Sequence, residues 1–104
     1  MGIGILYYMK LLNFYKKNHI VFTIRIDGSC MSPILKDGEF VRVRPCEKYS
    51  IGDIVVCSDA KGILYIHRIH KIVGNKYITK ADNNLGEDAD PIPFNMIFGK
   101  VLAK

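Results

Sequence analysis

The chain has 104 residues, of which 49% are hydrophobic and 24% charged. That is enough for one domain with a modest core, and too apolar for a disordered chain. Its net charge of +5 is spread as single lysines and arginines, which gives weak attraction to anionic surfaces without the basic block of a nucleic-acid tail. Cys30, Cys46 and Cys57 are odd in number and lack C-x-x-C spacing. No zinc or redox motif is therefore expected, no metal or other cofactor is implied, and at least one thiol stays free, as suits a reducing compartment.

The first 19 residues read as an amphipathic segment. Ile3 to Met9 is apolar, but Lys10 interrupts the run and Lys16-Lys17 close it. A spanning helix needs about 20 apolar residues, and an export signal carries its positive charge ahead of the apolar stretch. The spacing predicts a helix from about Ile5 to Tyr15, packed on the body or on a partner. A peripheral membrane contact through residues 3–15 is the second reading. With neither a transmembrane segment nor a signal peptide in view, a cytoplasmic location is expected.

From Ile20 to Ile26 apolar residues alternate at period 2, the pattern of a half-buried strand. A glycine turn, Asp27-Gly28-Ser29-Cys30, follows. Lys36-Asp37-Gly38 signals another turn, and Phe40 to Arg44 reads as a strand ended by Pro45. Ile54 to Cys57 is a short apolar run of the kind buried on both faces. After a loop over Ser58 to Gly62, Ile63 to Val73 forms the longest strand, with Ile63, Tyr65, His67 and Ile69 on one face and His70 on the face opposite His67. Gly74-Asn75 turns into a strand over Lys76 to Lys80. A polar, acidic loop runs from Asp82 to Pro93, and Ile97 to Leu102 closes the chain. Short strands with a turn signal every ten or so residues predict an all-β fold, a barrel or strongly coiled sheet.

Several of these spacings resemble one family, the type I signal peptidase and LexA-type peptidase superfamily. Gly28-Ser29-Cys30-Met31-Ser32-Pro33 is similar to its nucleophile motif Gly-x-Ser-Met-x-Pro, with Cys30 at the position of the serine. Gly52-Asp53-Ile54-Val55 matches the Gly-Asp-Ile-Val element. Ile66-His67-Arg68-Ile69 resembles the strand that bears the base, in the form that carries histidine, as in endoplasmic-reticulum, archaeal and sporulation-type signal peptidases. Thr79-Lys80-Ala81-Asp82-Asn83-Asn84 resembles the Thr-Lys-Gly-Asp-Asn-Asn box of that subtype, Glu87-Asp88 its acidic pair, and Phe98-Gly99-Lys100-Val101 its closing strand. The resemblance spans residues 20–104 and implies a signal-peptidase-like catalytic domain, a small, partly open barrel of coiled sheet. The family's usual membrane anchor is not seen.

By this resemblance Cys30 is the nucleophile, His67 the base and Asp88 the residue that orients the imidazole, a Cys-His-Asp arrangement; Glu87 and Asp90 compete with Asp88 for the third place. A thiol ionises near pH 8.5 when free and an imidazole titrates near 6.5, about the range in which one can take the other's proton. The backbone N–H of Cys30 would serve the oxyanion, with Gly28, Ser29, Met31, Arg68 and Asp82 supporting the site or substrate. The His subtype often adds a serine hydroxyl where this chain has Gly28. Losing such a donor typically costs about a hundredfold in rate, so a slow enzyme is expected.

The function so implied is an endopeptidase acting on an extended segment of a peptide or protein, of signal or leader type, with small residues before the scissile bond. The alternative is a lapsed relative that binds peptides or partners without cutting, in which Cys30 is an inert buried thiol. A self-cleaving repressor domain is disfavoured, because the twenty residues before the first strand are too few for a helix-turn-helix head. Nucleic acid is not an expected partner, since the aromatics do not line a basic strand face.

Overall fold

The computed structural model describes residues 2–28 and 31–102, with side chains from Met9 onward. Helix α1 (Gly2–Lys17) precedes strands β1 (Phe22–Arg25), β2 (Phe40–Arg44), β3 (Ile54–Ser58), β4 (Leu64–Val73), β5 (Lys76–Lys80), β6 (Ile92–Pro93) and β7 (Ile97–Val101), with a 3-10 turn at Phe94–Met96 before β7. All pair antiparallel in one sheet of order β1-β2-β7-β3-β4-β5-β6. The fold is the mainly-β one expected, with a short N-terminal helix. The sheet stays open, because among the described residues no pairing joins its ends, β1 and β6.

Helix α1 extends beyond the expected Ile5–Tyr15 at both ends. Lys16 and Lys17 sit in its last turn, where cations complement the negative end of the helix dipole. The stop comes at Asn18 and His19: the amide of Asn18 and its side-chain Nδ2 both donate to the Phe14 carbonyl, at 3.1 and 2.9 Å, and Ile20 N–H donates to Tyr15 O at 2.9 Å. His19 takes a left-handed φ of 54°, so the last carbonyls are satisfied as the chain turns away. No helix among the described residues is long and apolar enough to cross a membrane.

Two cores flank the middle of the sheet. On one face Leu12 of α1, Phe22 and Ile24 of β1, Met31, Leu35, Val41, Val43, Val56 and Phe98 are buried together. On the other lie Tyr49, Val55, Cys57, Ile69, Tyr77, Ile92 and Ile97. Strand β3 supplies Val56 to the first and Val55 and Cys57 to the second, which explains its unbroken apolar run. Its partner β4 is therefore held in register from both sides.

Several details differ from the sequence expectation. Strand β1 is only four residues long, because Ile20 and Val21 are spent leaving the helix and Ile26 bonds Glu39 O at 2.7 Å at the neck of the following turn. Strand β4 has a register shift between Ile69 and Lys71, a bulge announced by neither glycine nor proline. The acidic loop ends two residues early, since Ile92 and Pro93 pair with Tyr77 and Lys76. Prolines disguise this segment, yet an edge strand tolerates them.

Gly99, in β7, lies against β2. A Cβ there would come within 2.7 Å of Val43 Cγ1 and 2.8 Å of Arg44 O. Backbone cannot yield as a flexible side chain would, so Gly99→Ala is expected to destabilise the protein by about 1–3 kcal/mol, measured as a lower urea midpoint at unchanged m-value.

Candidate functional site

The turn after β1 is pinned on both sides of its tip. Gly28 has a φ of 97°, a conformation that side chains rarely adopt, and its N–H donates to Asp37 Oδ1 at 2.8 Å. Gly38 N–H reaches back to Ile26 O at 2.7 Å, and Leu35 N–H to Met31 O at 2.9 Å. The Met31 side chain is buried in the first core, and its Sδ accepts the Asp82 amide at 3.3 Å. The expected nucleophile Cys30 and its neighbour Ser29 lie outside the described residues.

His67 lies in β4 opposite Val55 of β3. Its Nδ1 is 2.5 Å from Asp88 Oδ2, and the side chains are only 15% and 24% exposed. A carboxylate accepts and does not donate, so Nδ1 carries the proton and Nε2 is left to exchange one elsewhere. The Tyr65 ring packs edge-on against the imidazole at 4.9 Å between centroids. Asp88 is itself held by Thr79 of β5: the Thr79 hydroxyl donates to Asp88 Oδ2 at 2.5 Å, and the Asp88 amide donates to Thr79 O at 2.8 Å.

Of the three acidic residues considered for this position, Asp88 is the one placed on His67. Glu87 instead meets His70 Nε2 and Lys71 Nζ, both at 3.3 Å, beside the β4 bulge. Asp90 is exposed on the rim of the adjoining cavity.

On the opposite face of β4 Arg68 grips Asp82 bidentately, Nε to Oδ1 and Nη2 to Oδ2, both at 2.8 Å, and its Nη1 donates to Gly52 O at 2.9 Å. The hydrogen bonds from Arg68 hold the Asp82 carboxyl below the usual range and raise the guanidinium in return. Burial pushes the Cys57 thiol up to about 12, so this cysteine is neutral and inert at neutral pH. Burial likewise raises the Tyr65 phenol. Among the described residues no group of three His, Cys, Asp or Glu is placed to hold a metal ion.

Two concavities meet at Tyr65. A groove of about 310 Å³ runs between Ile24 and Ile26 on one wall and Leu64, Tyr65 and Ile66 on the other, floored by Met31, Leu35 and Val56 and reaching Gly28. A wider cavity of about 550 Å³ lies on the far side, lined by Tyr65, His67, Asp88, Ile92, Pro93 and Met96 among others. Among the described residues strand β1 pairs on one side only, with β2, so its other edge can accept an extended strand.

Sequence reasoning gave neither Thr79 nor Tyr65 a role at the site. For Tyr65 a signal existed, its place two residues before His67 on one strand face. Thr79 opens the Thr79–Asn84 motif, but its contact with Asp88 had no signal, because that partner belongs to an irregular loop.

A sequence profile of the family described as Peptidase S24-like matches residues 5–102. No curated protein matches the chain.

The depressed Asp82 carboxyl has a pH signature. A group whose folded pKa lies below its unfolded value, about 3.9 for Asp, stabilises the fold above that value and loses its contribution as pH falls through the folded one. Asp82→Asn is expected to cost about 1 kcal/mol near neutrality, the scale of a partly exposed bidentate pair. Urea unfolding of both proteins from about pH 7 to about pH 3 should show the difference shrinking below about pH 4.

Proposed function

The chain belongs to the Peptidase S24-like family, and from that premise we propose that it is an endopeptidase with Cys30 as nucleophile, His67 as base and Asp88 as the group that orients the imidazole. The observation that carries the reading is the 2.5 Å contact between His67 Nδ1 and Asp88 Oδ2, on a strand that also walls the groove reaching Gly28. A histidine held this way has its Nδ1 proton fixed and its Nε2 lone pair free for a neighbour's proton.

Nε2 of His67 takes the Cys30 thiol proton as sulfur adds to the scissile carbonyl. The oxyanion is met by the Cys30 N–H. Collapse of the adduct breaks the C–N bond, and the same imidazole returns the proton to the departing amine. Water, deprotonated by His67, then hydrolyses the thioester and regenerates the thiol. An extended substrate pairs with the open edge of β1, and the residues before the cut lie in the groove between Ile24 and Leu64. Its volume, about 310 Å³, and its aliphatic walls favour small apolar side chains. With glycine at residue 28, no side-chain hydroxyl assists the oxyanion from that position, so turnover is slow.

The test is cleavage of a pooled peptide library rich in Ala, Gly and Ser, read by mass spectrometry. The wild type is expected to cut after small residues, Cys30→Ala to cut nothing, and His67→Ala to fall by about 10²–10⁴-fold. Cleavage that persists in Cys30→Ala would remove the proposal. Binding of library peptides without cleavage by the wild type would replace it with a lapsed, peptide-binding module.

A further inference from the structure

Thr79 is buried with 0% exposure in β5, a strand that contributes no residue to the groove beside the Gly28 turn. It nevertheless touches Asp88 twice, once through its hydroxyl and once through its carbonyl. The carbonyl fixes where the Asp88 backbone sits. The hydroxyl then fixes the rotation of the carboxylate, because Oδ2 is the oxygen that also receives His67 Nδ1. Both donors converge on a single oxygen.

We infer that Thr79 is a positioning residue for His67, acting through Asp88: its hydroxyl locks the carboxylate in the one rotamer that keeps the imidazole protonated on Nδ1. This rests on the reading of His67 as the base. Asp88 sits in a loop and its side chain is 24% exposed, so without a second donor the carboxylate can turn toward water and leave the imidazole. Thr79, by contrast, is fixed by a five-residue strand that pairs with β4 on one side and β6 on the other. The tether is therefore as rigid as the sheet. Tyr65 reinforces it: its ring abuts the imidazole at 4.9 Å, and its hydroxyl interacts with Thr79 and Cys57. A hydroxyl is required here, since valine has the shape of threonine but cannot donate.

The experiment compares wild type, Thr79→Val and Thr79→Ser by ring-nitrogen NMR of the neutral His67 imidazole and by cleavage of the peptide library. In Thr79→Val the ratio of Nδ1–H to Nε2–H tautomer is expected to drop about tenfold, the equivalent of one charge-assisted hydrogen bond, and kcat to fall by about as much at unchanged KM. Thr79→Ser is expected to restore both. In an Asp88→Ala background, where no acceptor is left for the hydroxyl, Thr79→Val should add nothing. An unchanged tautomer ratio in a folded Thr79→Val protein, failure of serine to rescue, or a further loss in the Asp88→Ala background would each overturn the inference. If Thr79→Val does not fold, Thr79→Ala takes its place against the serine variant. The NMR comparison needs no substrate: a tautomer shift in a protein that cuts no peptide would uphold the role of Thr79 and remove the peptidase proposal instead.

Discussion

The packing of β3 and β4 between two apolar cores is the constraint on which the site depends. Val56 faces one core, Val55 and Cys57 the other, and the register Val55 to His67 and Cys57 to Tyr65 is fixed by both. Slipping one strand by a single residue would move every side chain to the wrong face. Here a slip of β4 would carry His67, together with Tyr65, to the face that Arg68 now occupies, away from Asp88. The burial of ordinary aliphatic residues thus decides where the imidazole points.

From that strand two neighbouring residues reach in opposite directions and hold one loop at two points. Arg68 takes Asp82 at the loop's start, and His67 takes Asp88 six residues on. Asp82 passes the restraint to the Gly28 turn, because its amide donates to the buried Met31 sulfur. A polar framework of this kind runs Gly52, Arg68, Asp82, Met31 on one side of β4 and Tyr65, His67, Asp88, Thr79 on the other. Charge-assisted hydrogen bonds are short and directional, which makes them suited to setting angles in a loop that has few apolar contacts of its own.

Much of this was legible in the residues before any coordinates, and for a physical reason. Period-2 alternation over Tyr65, His67 and Ile69 places the tyrosine beside the histidine, and the unbroken run Ile54 to Cys57 announces a strand buried on both sides. What stayed hidden was non-periodic. Glu87, Asp88 and Asp90 are equivalent in a loop without a repeat; the bond from the Asp88 amide to Thr79 O separates them, and that depends on how the loop folds back over β5. The bulge near His70 has no glycine to mark it, and Pro91 and Pro93 conceal β6. Thr79 opens a recognisable motif, yet its hold on Asp88 shows only in the way the loop folds back.

The proposed chemistry depends on a working pair between the Cys30 thiol and His67, which the rate of Cys30 alkylation by iodoacetamide against pH reads out, followed by mass spectrometry in the wild type and in His67→Ala. A free thiol titrates near about 8.5. With the pair in place, Cys30 is expected to react well below that pH in the wild type and to lose the advantage when the imidazole is removed. A Cys30 with the same ordinary profile in both proteins would contradict the pairing.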